Sequence, residues 1–172
     1  MLNNDLSGKV ASIINDVFNS SDRVNLTFNE FTDPNGKPAK SDPATLNNGV
    51  YNETIQLNLS LIKGSSKEFA TIIMVHEILH AYMNYNNQFR YLQLQQHQEM
   101  AEKYVADMKG FVQQLYPIND PDAYAIILNG LADIFGNNKP AYIDTLKTKY
   151  NVDDPLGTYE MERAGLQGTT CK

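Results

Sequence analysis

The sequence has little cysteine, no long apolar run and no cluster of positive charge. Its one cysteine, Cys171, lies next to the final residue, where it can form no internal disulfide and lacks the packed partners that activate a catalytic thiol. No apolar run approaches the roughly 20 residues that a membrane helix requires. Lysines and arginines are scattered and the net charge is −6. We therefore expect no thiol catalysis, no membrane partner and no nucleic-acid partner.

The first residues also lack the features of a secretory leader. They read Met-Leu-Asn-Asn-Asp, without the basic start, apolar centre and small-residue cleavage site of a signal peptide. A cytoplasmic location is the default expectation from this pattern. The sequence gives no indication of the oligomeric state.

Length and composition are typical of one globular domain. The chain has 172 residues, of which 42% are hydrophobic and 20% charged, enough to bury a sizeable core. We expect a single domain over residues 1–172. Its core should span about residues 6–150, with residues 151–172 forming an irregular tail or a strap docked on the domain.

Hydrophobic periodicity predicts an α+β fold with its strands early in the chain. Apolar residues recur at helical spacing over residues 6–18, whereas residues 24–28 and 54–61 alternate as strands do. Residues 32–49 have the composition of turns and loops. Later segments show helical patterns only, at residues 65–84, 92–116, 121–135 and 140–150. This order indicates a small mixed or antiparallel sheet packed on a buried helix, with a helical C-terminal half.

The start of the second predicted helix matches a known capping pattern. Ser65 is followed three residues later by Glu68, which fits a capping box. The helix should therefore begin at this serine and continue to about Asn84.

This same helix carries the sequence His76-Glu77-Ile-Leu-His80. Residues four apart on a helix share a face, so both imidazoles can reach one metal ion. Glu77 lies one residue round the helix, where its carboxylate can take a proton from a water molecule at the metal. The motif thus predicts two zinc ligands and a general base. The alternative is a pair of core histidines bonded to the backbone, with Glu77 paired to a lysine.

A third zinc ligand is expected, because zinc hydrolases bind the metal through three protein side chains and keep a position for water. The remaining histidine of the chain is His97. Steps of three or four residues from it give a stripe of buried character: Met100, Tyr104, Met108, Phe111 and Leu115. His97 is therefore the expected third ligand. Glu102, at the border of this stripe, is the alternative, whereas Glu99 falls on a face that we predict to be solvated.

The motif and its surroundings resemble the zincin metallopeptidases, and among them the SprT-like group. The resemblance rests on His76-Glu-Ile-Leu-His80-Ala-Tyr, on a preceding strand that reads Thr54-Ile-Gln-Leu-Asn-Leu59, and on a distant histidine. It covers roughly residues 54–108. It implies a mixed sheet on an active-site helix, a Zn²⁺ ion and hydrolysis of peptide bonds in a peptide or protein substrate.

Other zincin branches fit less well. The metzincin pattern needs glycine where Met83 stands and histidine where Asn86 stands. A gluzincin site would use Glu102, but the Asn-Glu-x-x-Ser-Asp signature of one large branch is missing. The DNA-linked roles of some SprT-like proteins do not carry over, because the chain has neither zinc-ribbon cysteines nor a basic patch.

The resemblance also implies how a substrate binds. An extended peptide would pair with an edge strand, for which residues 54–61 are the candidate. Tyr82, Tyr85 and Tyr104 are candidates to stabilise the oxyanion. Two alternatives stay open: a zincin fold that only binds a partner, and a metal-dependent amidase acting on cell-wall or small-molecule amides. Glu77 argues against the first, since a purely structural metal site has no use for a base.

Overall fold

The computed structural model describes residues 7–19, 21–86, 92–136 and 138–169. Within these ranges the chain folds into a small mixed sheet surrounded by helices, and every element after the sheet is helical. The predicted α+β class is therefore confirmed. Cys171 lies outside the described residues, as do residues 87–91 of the linker that precedes His97.

The elements are named in chain order. The strands are β1 (Val24–Phe31), β2 (Ala39–Ser41), β3 (Thr45–Asn47) and β4 (Val50–Asn58). The helices are α1 (Lys9–Ser12), α2 (Leu59–Ile62), α3 (Lys67–Tyr85), α4 (Gln93–Lys103), α5 (Val105–Leu115), α6 (Asp120–Asn129), α7 (Lys139–Tyr150) and α8 (Pro155–Arg163). A π-helical segment, Ile13–Asn19, continues α1, and a 3₁₀ turn, Ala132–Phe135, follows α6.

Strand β4 is central to the sheet. It pairs in parallel with β1 on one side and antiparallel with β2 and β3 on the other. The expectation that residues 54–61 offer a free edge to a peptide is therefore wrong. Strand β2 lies at the outer position of the order β1-β4-β2. Strands β2 and β3 fall inside the predicted loop, and three residues each are too few to show a strand period.

The predicted strand at residues 54–61 also ends early. The side chain of Asn58 accepts a hydrogen bond from the backbone N–H of Ser60 and begins the short helix α2. Asparagine is a favoured N-cap because its oxygen satisfies a free backbone donor in the first turn. Leu59 and Leu61 therefore continue the chain as a helix, although their alternation with polar residues resembles a strand.

Helix α3 forms the centre of the core. It is 19 residues long and packs against β2 and β4 on one side and against α5 and α6 on the other. Phe69, Leu79 and Met83 are fully buried along it. Its apolar character on nearly all sides explains this position, as expected from the sequence. None of the described helices combines the length and apolar character needed to cross a membrane.

The start of α3 differs from the predicted capping box by one residue. Ser66 is the N-cap, and its hydroxyl accepts a hydrogen bond of 2.9 Å from Phe69 N. Ser65 instead donates its hydroxyl to the preceding turn. Glu68 accepts hydrogen bonds from the backbone and hydroxyl of Thr169 and therefore does not close a capping box.

Two predicted helices are each divided. The helix expected at residues 92–116 breaks at Tyr104, whose backbone φ of −123° separates α4 from α5. No glycine or proline marks this position, so the sequence gives no signal for the break. The helix expected at residues 121–135 consists of α6, a turn and the 3₁₀ segment.

The prediction of an irregular tail is wrong for its first part, because α8 packs against α6, α7 and α3. Glu162 of this helix is 1% exposed. The following residues, 164–169, form the docked strap. Lys67 N donates to Thr169 O at 2.7 Å and Ser66 N donates to Glu162 O at 2.9 Å. The end of α8 and the strap thereby satisfy backbone donors at the start of α3 that a helix leaves free.

Candidate metal centre

The three histidines of the chain meet at one point. His76 and His80 lie on the same face of α3, and His97 reaches them from α4. The Nε2 atom of His80 is 3.0 Å from Nε2 of both His76 and His97, and the third side of this triangle measures 3.2 Å. All three side chains are buried. They lie close enough together to hold a metal ion.

The hydrogen bonds behind two of these rings show which nitrogen carries the proton. His80 Nδ1 lies 2.6 Å from Gln96 Oε1, and His97 Nδ1 lies 2.6 Å from Asp133 Oδ1. Both partners are oxygen acceptors, so Nδ1 is the donor in each ring. In a neutral imidazole the other nitrogen then has a lone pair and no hydrogen. When both rings are neutral, two lone pairs face each other at 3.0 Å, an arrangement that a cation between them stabilises.

Dimensions and charge also fit a metal. Ligand nitrogens at 2.0–2.1 Å from a tetrahedral zinc would be about 3.3 to 3.4 Å apart, close to the separations seen here. Burial lowers the pKa of His76 well below its ordinary value, and the neighbouring His80 and His97 lower it further. Burial lowers the pKa of His80 to about 4, partly opposed by its bond to Gln96. Both rings are therefore neutral at pH 7, the form that binds metal.

A chain of buried polar side chains supports His80. Gln96 Nε2 donates to Asn84 Oδ1 at 2.9 Å, and Asn84 Nδ2 donates to Glu53 Oε1 at 3.3 Å. The hydroxyl of Tyr51 donates to the other oxygen of this carboxylate. These residues were not identified from the sequence. Two positions in the sequence could have indicated Asn84 and Gln96. Asn84 lies one helical turn beyond His80, and Gln96 directly precedes His97.

The residues beside the rings of His97 and His76 were also not identified from the sequence. Asp133, which orients His97, is 36 positions away in sequence, and no spacing connects them. Gly130 lies beside the His76 ring, and a Cβ at this position would be 3.4 Å from Nδ1 and 3.3 Å from Ile127 O. The glycine thus allows α6 to approach the ring closely.

Glu77 lies beside the histidines, half-buried, with its side chain on a cavity. Burial raises its pKa to about 7, the Lys37 ammonium opposes this rise, and the Glu53 carboxylate adds to it. A carboxyl group whose pKa is near neutrality can both accept and return a proton. This placement suits the role of base that the sequence predicts.

The cavity has a volume of about 440 Å³ and is open to solvent. His76, Glu77, His80 and His97 line one side, and residues 37–41, which include β2, line another. Asn58 fixes the approach to this strand. It donates to Asp33 O at 2.6 Å, to Lys37 O at 3.0 Å and, from its backbone, to Pro38 O at 2.9 Å. The histidines therefore face a solvent-accessible cavity beside a well-held strand.

The alternative third ligands lie elsewhere. Glu102 is exposed, and it is not part of the group of side chains able to share an ion. Glu99 is buried, contrary to the prediction of a solvated face, and forms an ion pair of 2.8 Å with Lys103. This pair on α4 offsets part of the cost of burying its charge.

The predicted oxyanion candidates do not line the cavity either. Tyr85 packs edge-on against Tyr51 with ring centroids 5.4 Å apart, and the ring of Tyr104 lies under the Lys9 ammonium at 3.9 Å. Tyr82 packs against the core. Tyr159 of α8 is the tyrosine that lines the cavity among the described residues. It was missed because its helix was predicted to be irregular.

Tyr159 keeps its proton at neutral pH. Burial raises its pKa, and the charge of Arg163 and a hydrogen bond with Asn129 oppose this rise. Asn129 also accepts a hydrogen bond of 3.4 Å from the hydroxyl of Tyr142. A protonated phenol at the cavity wall is a hydrogen-bond donor for a bound molecule.

Comparisons of the chain with protein-family models, with curated proteins and with solved structures gave no match. The function of this protein is therefore inferred from the chemistry of its own side chains.

Proposed function

We propose that this protein is a zinc-dependent peptidase of the zincin type, related to the SprT-like group. The observation that carries the proposal is the convergence of three buried imidazoles at 3.0–3.2 Å, with Glu77 beside them on an open cavity. His76, His80 and His97 would hold the ion. Three histidines with a position left for solvent are typical of catalytic zinc sites.

Zinc is the metal that this donor set favours. Imidazole nitrogens suit zinc, copper, iron and nickel, and a compact three-nitrogen site that leaves one position of a tetrahedron suits zinc among them. When bound, the ion polarises a carbonyl group and lowers the pKa of coordinated water to about 7. The hydrogen bonds from His80 and His97 to Gln96 and Asp133 hold the rings in the tautomer that this binding needs.

The remaining steps of the proposed reaction belong to the side chains on the cavity. Glu77 accepts a proton from the attacking water at its carboxylate and delivers that proton to the leaving amine nitrogen. Tyr159 donates its phenolic hydrogen to the carbonyl oxygen of the scissile bond as negative charge develops there. Both side chains line the same cavity as the three histidines.

The substrate in this proposal is an extended peptide. It would add to the outer edge of β2, which lines the cavity and has β4 as its sheet partner. Lys37, at the start of this wall, is exposed and forms none of the ion pairs among the described residues. Its charge is available to a carboxylate of the substrate. We expect a modest preference for peptides with acidic residues.

A protein that only holds a structural metal is the main rival, and the site argues against it. Structural zinc sites are normally closed by four protein ligands. The group able to share an ion among the described residues has three members. Glu77 and the cavity beside it would also have no purpose in such a site.

The test is metal-dependent cleavage of a peptide library. We expect the purified protein to contain about one zinc per chain by elemental analysis and to cleave peptides. A chelator should abolish cleavage and added zinc should restore it. Tight zinc binding with no cleavage of any peptide, while non-peptide amides are hydrolysed, would instead indicate the amidase alternative.

A further inference from the structure

The buried side chains between Glu53 and His80 form one continuous line of hydrogen bonds. It runs from Glu53 on β4 through Asn84 at the end of α3 and Gln96 on α4 to His80 Nδ1. Each of these side chains is at most 8% exposed. Along this line, two amide groups connect Glu53 to His80.

The carboxylate determines the direction of every bond in this line. Both oxygens of Glu53 accept hydrogen bonds, one from Asn84 and one from Tyr51, so the amide nitrogen of Asn84 faces Glu53 and its oxygen faces Gln96. Gln96 then places its nitrogen toward Asn84 and its oxygen toward His80. The ring must donate from Nδ1, which leaves a lone pair on Nε2 for the metal. An opposite direction would place the hydrogen on Nε2 and block that position.

Resting on the metal site of the proposed function, we propose that Glu53 is a positioning residue that fixes the Nδ1–H tautomer of His80 through Asn84 and Gln96. The carboxylate acts over a distance because two primary amides have no preferred direction of their own, and an acceptor at one end orders both. The same carboxylate anchors β4 to the end of α3, which couples the sheet to the candidate metal centre.

The main test is the tautomer of His80 in the metal-free protein, read from long-range proton–nitrogen correlation spectra. Metal-free protein is used because a bound ion would impose the tautomer by itself. We expect the Nδ1–H form in the unmodified chain. A His80 that carries its hydrogen on Nε2 there would overturn the proposal, whatever any variant does.

Glu53→Gln replaces the ordering acceptor by an amide of the same shape. The line then no longer ends in a group that can only accept hydrogen bonds, so its bonds can run in either direction. We therefore expect a mixture of His80 tautomers and a zinc affinity about 10- to 100-fold weaker. Tyr51→Phe is the matched control. It removes a donor to the same carboxylate but keeps the carboxylate, so the tautomer should not change.

A double variant separates this role from a purely structural one. Glu53→Gln combined with Gln96→Glu moves the carboxylate to the other end of the line and keeps net charge and size. His80 Nδ1 then donates directly to the new carboxylate, and Asn84 can turn to serve both neighbours. We expect the Nδ1–H tautomer and most of the zinc affinity to return. A folded double variant that behaves like Glu53→Gln would refute the proposal, as would a Glu53→Gln variant with unchanged tautomer and zinc affinity.

Discussion

Two of the cavity's walls hold their side chains in different ways. The ligand wall (His76, His80, His97 and their partners on α3 and α4) is buried. Two of its rings are oriented by side-chain acceptors, His80 by Gln96 and His97 by Asp133. The rim (residues 37–41) is held through its backbone by Asn58, while Lys37 projects into solvent. Buried polar groups lose about 1–3 kcal/mol when a partner is removed, whereas exposed charges lose little. The ligand wall should therefore determine whether the proposed reaction occurs, and the rim should determine which peptides are preferred.

The largest effect is expected at the base. Glu77→Gln keeps the shape of the side chain but cannot accept a proton, so kcat should fall by about 10²- to 10⁴-fold. Because Glu77 is not one of the three ligands, zinc content should be unchanged. Activity is measured on the best peptide of the library and zinc by elemental analysis of the same sample. Undiminished cleavage by this variant would exclude Glu77 as the base.

The third ligand is tested by a pair of substitutions on α4. His97→Ala removes one of the three converging nitrogens, and the zinc affinity should fall by more than about 100-fold. Glu102→Ala on the same helix removes an exposed carboxylate and should leave the affinity unchanged. Both are measured by competition with a zinc-binding dye. Weaker binding in Glu102→Ala with normal binding in His97→Ala would favour a gluzincin-like site.

The proposed oxyanion donor gives the next largest effect. Tyr159→Phe removes one hydroxyl from the cavity wall, and kcat should fall by about 100-fold with little change in KM, because the bond strengthens only as charge develops. Tyr85→Phe is the control, since that ring packs on Tyr51 away from the cavity. A normal kcat in the Tyr159 variant would contradict the assignment.

The two walls also differ in how far the sequence could predict them. The positions of His76, Glu77 and His80 follow from a five-residue spacing on one helix, and His97 follows from the phase of the next helix. Local periodicity contains this information. The rim depends on the three-residue strand β2, and Tyr159 on a helix beyond residue 150. Neither segment has a strong period. Asp133 and Glu53 join the site through long-range packing alone, so no spacing could indicate them.

A smaller effect is expected at Asp133. Asp133→Asn keeps an oxygen acceptor for His97 Nδ1 but removes the charge, and the zinc affinity should fall by about 10-fold. This loss is at the lower end of the range of about 10- to 100-fold expected for Glu53→Gln, because the Asp133 side chain is 45% exposed and solvent screens its charge. Glu102→Gln makes the same chemical change on an exposed residue that supports no histidine. Equal affinities in the two variants would show that the Asp133 charge has no role.

The smallest effect is expected at the rim. Lys37→Gln removes one exposed charge, and the ratio of kcat/KM between an acidic and a basic version of the same peptide should fall by about two- to five-fold. Peptides with an amidated C-terminus separate a side-chain carboxylate from a terminal one. Lys63→Gln, which removes an exposed lysine outside the cavity, should leave the ratio unchanged.

Raising the salt from about 0.05 M to 0.5 M should weaken the preference of the unmodified protein for acidic peptides, because concentrated salt screens the attraction between exposed charges. A preference that persists in Lys37→Gln would place substrate selection on the ligand wall and remove the division of roles between the two walls.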